Sequence, residues 1–132
     1  MKGNRKNAEM LLRIAREDQR AFLHMAQLGS ELPRQTFFQA QQAVEKALKA
    51  VLTNRSIPIR KTHDLEELYG SLESAGCRCP VALDELVQLT PYAALFRYDD
   101  TDIARLDVEV ARGIVNRALD WATTEIEGHP QP

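Results

Sequence analysis

The residues of this chain best suited to chemistry lie in the stretch RSIPIRKTHD, Arg55 to Asp64, where Arg60 and Lys61 lead into Thr62, His63 and Asp64. An imidazole beside two cations can contact a phosphate or exchange a proton with a substrate near neutral pH. The plainer reading of His63 is that it sits at or beside a helix N-cap and fastens a loop. A second group is Arg97-Tyr98: a guanidinium takes a phosphate through two parallel bonds, and a phenol ring stacks on a base. Arg97 paired with Asp99 or Asp100, and Tyr98 covering the end of a core, is the alternative. Lys46 and Lys49, with Gln42 and Glu45, form either an anion-binding wall or dimer seam, or a solvated face carrying a Glu45–Lys49 pair at i,i+4. The candidate binding set is therefore Lys46, Lys49, Arg60, Lys61, His63, Arg97 and Tyr98.

Other chemical groups attract less. Cys77 and Cys79, one residue apart, read as two reduced thiols in a loop, because nearby residues supply no further metal ligands. His24 and His129 are expected at the surface, Asp18 as a solvated carboxylate, with a place in the bundle's polar centre as the alternative, and Trp121 in a core or an interface. No metal or cofactor is expected.

The elements that must position these groups are helices. Ala40, Ala43, Val44, Ala47, Leu48, Val51 and Leu52 recur at three- and four-residue steps, and Ala at 40, 43, 47 and 50 permits close approach of a second helix, in a pairing role. This second helix is predicted over 34–54, after a first over 5–28 carrying Leu11, Leu12, Ala15 and Phe22. Pro58 forces a true connection over 55–61. A third helix follows over 64–75 with Gly76 as its stop, then a fourth over 80–90, opened by Pro80 and ended by Pro91. Residues 92–102 are the least regular. A last helix over 102–127 has the longest apolar stripe, and 128–132 are expected to fray. With no alternating strand pattern and no repeat, the expectation is one all-α domain over 1–132, an up-and-down bundle of three long and two short helices.

Composition agrees with that frame. The chain has 132 residues, 44% hydrophobic and 27% charged, and a net charge of -2, so it has no overall basic field of the kind that announces nucleic-acid binding. Charge is nevertheless segregated. Residues 34–63 hold Arg34, Lys46, Lys49, Arg55, Arg60 and Lys61 against Glu45, whereas 64–85 hold six acids against Arg78. No apolar run reaches bilayer length and the N-terminus lacks a signal-peptide core, which points to a cytoplasmic protein without membrane contact.

The run FFQAQQAVEKALKA over 37–50, then Thr62-His63-Asp64-Leu65, then Arg97-Tyr98-Asp99 before a long last helix, resembles the HEPN domain over nearly the whole chain. The resemblance implies an all-α bundle, usually a homodimer. It also implies, for many prokaryotic members, partnership with a minimal nucleotidyltransferase in a toxin–antitoxin pair. Many such proteins are metal-independent endoribonucleases using an Arg followed after four to six residues by His; others bind nucleotides without cutting RNA. Here Arg16 and Arg20 before His24, Arg55 and Arg60 before His63, and Arg117 before His129 all stand at other distances. The expectation is thus a binding and interaction module taking a nucleotide or RNA phosphate. An endoribonuclease with a non-standard Arg/His site, in which His63 is the base and Arg97 stabilises the transition-state phosphate, and a purely scaffolding subunit are the alternatives.

Overall fold

The computed structural model describes residues 2–28, 33–59, 61–93 and 106–128. Five α-helices follow in order: α1 (Lys2–Ala26), α2 (Pro33–Asn54), α3 (Leu65–Ser74), α4 (Leu83–Leu89) and α5 (Val108–Glu127), with a 3-10 turn over Thr90–Ala93. Among the described residues there is no strand, so the all-α bundle expected from sequence is what forms.

Helix α2 is the axis of the fold. Phe37, Ala40, Ala43, Val44, Ala47, Leu48, Ala50, Val51 and Leu52 are all buried, as are Thr36, Gln41 and Glu45. These positions cover about 220° of the helix circumference, and the rest of it is mostly half-buried. Its packing is closest with α1, then α5, and α3, α4 and the 3-10 turn also lie against it. The pairing role expected for the small residues is therefore corrected: all four alanines are fully buried within the domain, where a missing side chain lets neighbouring helices approach. Ala8 and Ala15 supply the same smallness from α1.

Polar bonds report the helix directions. Asn4 reaches Ser56 (2.7 Å) and Lys46 reaches Asp18 (2.5 Å), so α1 and α2 run antiparallel. Gln19 bonds Asn116 (2.9 Å) and Arg16 bonds Thr123 (2.8 Å), so α1 and α5 do too. Arg55 reaches Glu125 (3.3 Å), placing the C-terminal ends of α2 and α5 side by side. Asp18 is a correction: it is largely covered and ion-paired, not a free solvated carboxylate.

Local signals explain the ends. Asp64 caps α3, accepting from the Glu66 N–H (2.9 Å), and Thr62 in turn accepts from the Asp64 N–H (3.0 Å). Gly76 at φ +77° closes the far end, where the Cys77 N–H bonds the Leu72 carbonyl. Two boundaries differ from expectation. Helix α4 begins at Leu83 rather than Pro80, because the Glu85 carboxylate turns back onto the Ala82 N–H (3.0 Å) and fixes the start there. Helix α4 ends at Leu89, just before Pro91 as expected, and a 3-10 turn containing Pro91 follows it. Helix α5 starts at Val108, since Asp107 accepts from Glu109 and Val110 N–H groups as its N-cap; residues 102–105 of the predicted helix lie outside the described residues.

Candidate functional site

The connection after α2 turns through Ser56 at φ +59°, with the Ile57 N–H bonded to the Leu52 carbonyl (2.9 Å), and returns along the helix it has just left. His63 is thereby set against Glu45, two turns inside α2. Its Nδ1 lies 3.0 Å from Glu45 Oε1 and 3.2 Å from Oε2.

Glu45 is the centre of the arrangement. The residue is 3% exposed, and a carboxylate that deep is tolerated only when its oxygens are met by donors. They are. The Gln41 amide donates to Oε1 (3.0 Å), the Lys49 ammonium to Oε2 (3.0 Å), and His63 lies across both. Gln41, fully buried, also donates to the His63 carbonyl oxygen (3.0 Å) and accepts from the Gln42 amide (2.7 Å). Gln41, Glu45 and Lys49 follow one another at four-residue steps, so a single polar edge of α2 holds both the side chain and the backbone of His63. The imidazole remains 68% exposed, and Nε2 has no hydrogen-bond partner among the described residues.

The Glu45–Lys49 pair forms as expected, but the expected solvated face does not. Glu45 lies beneath the returning connection, and Lys49 is 17% exposed. Lys46 departs from its neighbour; its ammonium is committed to Asp18 on α1. Lys61 is exposed, two residues before His63. The structure therefore brings Lys49 and His63 together, keeps Lys61 adjacent in the chain, and sends Lys46 to α1. Arg60, Arg97 and Tyr98 lie outside the described residues, as does His129. His24 is exposed and Trp121 half-buried against the core, both as expected.

Sequence reasoning misses two site residues: Gln41 is not singled out, and Glu45 reads as part of a wall, a seam or a solvated pair. The signal was present: a glutamine, a glutamate and a lysine at four-residue steps, along one edge of the apolar stripe.

Other groups fall elsewhere. An open groove of about 530 Å³ between the connection and α3 is lined by Ile57, Glu67, Gly70, Ser71, Ser74 and Ala75, none of them a candidate from the sequence. Cys77 is buried and Cys79 partly so; both are free, and burial pushes both thiols up from their ordinary range, which suppresses the thiolate a nucleophile or ligand needs. Glu85 is held below the usual carboxylate range by its two-pronged bond with Arg117, which joins α4 to α5. Among the described residues no helix is long and apolar enough to cross a membrane.

A family model for the HEPN domain matches residues 8–126. No curated protein and no solved structure matches.

Proposed function

Since the chain belongs to the HEPN domain family, whose members include ribonucleases and interaction modules, we propose that it is a binding and interaction module that takes a nucleotide or an RNA phosphate at the edge formed by Lys49, Lys61 and His63. The observation that carries this reading is the anchoring of His63. A buried carboxylate and a buried amide hold both its ring and its backbone, yet most of the ring faces solvent and one ring nitrogen has no partner among the described residues. A loop histidine needed only for packing would turn its ring inward. Arg60, next to Lys61 and three residues before His63 in the sequence, gives this stretch of chain a second cation.

HEPN domains often dimerise, and a homodimer partnered by a minimal nucleotidyltransferase in a toxin–antitoxin pair within the cytoplasm completes the proposal. Titration calorimetry with ATP and with a short RNA tests the ligand. Binding that is lost in both His63→Ala and Lys49→Ala supports it, and no heat from either ligand in the wild type removes it. Co-expression with a candidate nucleotidyltransferase and size-exclusion chromatography test the partner.

A second reading, an endoribonuclease, is favoured by the same His63–Glu45 contact, because a carboxylate on one ring nitrogen is the support a general base requires at the other. Growth arrest and RNA cleavage on expressing the chain alone, abolished by His63→Ala, would select it over the binding module.

A further inference from the structure

We infer that Glu45 and Gln41 are positioning residues that lock neutral His63 as its Nδ1–H tautomer. Nε2 is then left as a bare acceptor for a hydroxyl of the ligand, such as a ribose 2′-OH beside the bound phosphate. The inference rests on reading His63 as the ligand-facing group.

The chemistry is one of elimination at Nδ1. Glu45 already receives the Gln41 amide on one oxygen and the Lys49 ammonium on the other. A carboxyl flanked by donors on both oxygens is ionised and can only accept. The 3.0 Å contact with Nδ1 is therefore a bond donated by Nδ1–H. In the neutral ring the proton can sit on only one nitrogen, so Nε2 carries a lone pair. A free imidazole side chain in water favours the opposite tautomer, so the site must impose this one. Gln41 makes the imposition rigid: the same amide that occupies Glu45 Oε1 also holds the His63 carbonyl, so neither the carboxylate nor the loop backbone can turn away independently.

An acceptor at Nε2 selects for a donor opposite it. A phosphate oxygen carries no proton at neutral pH and is repelled by the lone pair; a hydroxyl is bonded by it. Phosphate is then the task of Lys49 and Lys61, and hydroxyl recognition that of His63.

The test is nitrogen NMR of the 15N-labelled full chain at about pH 8.5, above the ordinary histidine range, with the His63 ring signals identified by their loss in His63→Gln. The expected result is a predominant Nδ1–H tautomer in the wild type and reversion toward Nε2–H when the paired charges are replaced together, in Glu45→Met/Lys49→Met, or when the clamp is removed, in Gln41→Leu. A wild-type ring in the Nε2–H form overturns the inference, whatever the variants do. So does an unchanged tautomer in folded variants, judged by circular dichroism. Calorimetry with an RNA and a DNA oligonucleotide of the same sequence gives the second readout. The RNA should bind roughly 3- to 10-fold tighter, the worth of one hydrogen bond, and the ratio should collapse in His63→Ala. An RNA:DNA ratio near one in the wild type overturns the hydroxyl assignment. Absence of binding by either oligonucleotide overturns the ligand reading, while the tautomer result is judged separately by the spectrum.

Discussion

Replacing Glu45 by Gln keeps the size of the side chain and removes one charge, which isolates what the carboxylate contributes. In the native chain its two oxygens accept from the Gln41 amide, the Lys49 ammonium and the His63 ring. An amide has only one oxygen, so whichever way Gln is turned its NH2 faces a donor: Gln41 on one side or Lys49 on the other. Lys49, 17% exposed, is left without its counter-charge. Breaking a buried pair from one side costs about 3–5 kcal/mol, and partial access of Lys49 and His63 to water reduces that here to about 2–3 kcal/mol. At about 4 °C per kcal/mol for a domain of this length, Tm should fall by roughly 8–12 °C. Urea unfolding followed by fluorescence of Trp121, the single tryptophan, measures the change. Adding Lys49→Met to Glu45→Met removes both charges and should recover at least about 1 kcal/mol relative to the sum of the single variants. By contrast His63→Ala should cost under about 1 kcal/mol, because its ring is mostly in water. A Glu45→Gln protein within about 0.5 kcal/mol of the wild type, or additive behaviour with Lys49→Met, would refute the picture of a satisfied buried charge.

Further outcomes are expected elsewhere. Ser56→Gly should raise stability by about 0.5–1 kcal/mol in the same urea assay, since φ +59° is a conformation glycine adopts freely, and loss of the exposed bond from Asn4 offsets little of it. Ala43→Leu should destabilise by about 1–3 kcal/mol, because a fully buried methyl leaves no room for three more carbons. The Glu85–Arg117 bond lowers the folded-state pKa of Glu85, so its contribution is present above the unfolded carboxyl value and is lost as pH falls through the lower folded one. The stability difference between wild type and Arg117→Met should accordingly be constant near neutrality and shrink below about pH 4. Cys77 should react with a disulfide reagent at neutral pH only after unfolding, as its buried thiol resists ionisation.

Helix identity was legible because the apolar residues recur at the three- and four-residue steps of an α-helix, and Pro58, Gly76 and Gly128 punctuate the chain where helices stop. The start of α4 was not legible from Pro80, since the Glu85 carboxylate, three residues inside, fixes the first turn at Ala82. The same limit hid Glu45. Polar residues on a helix are assigned to its solvated side by default, and a Glu with a Lys at i,i+4 looks like a surface pair. What buries it is a connection that folds back over α2, and contact between residues 45 and 63 has no local signature. Lys46 and Lys49 likewise look equivalent in sequence, yet they lie about 60° apart around the helix, enough for one to meet Asp18 and the other Glu45.

The enclosure of α2 limits how this domain can diverge. With neighbours along its whole length, the central helix offers no broad face that can be rewritten to suit a new associate without disturbing the interior. Novelty has to enter through the outward surfaces of α1, α3 and α4 and through the loops. The Gln41–Glu45–Lys49 edge is the exception, where a change of two or three polar side chains would re-aim a loop while leaving the surrounding hydrocarbon untouched.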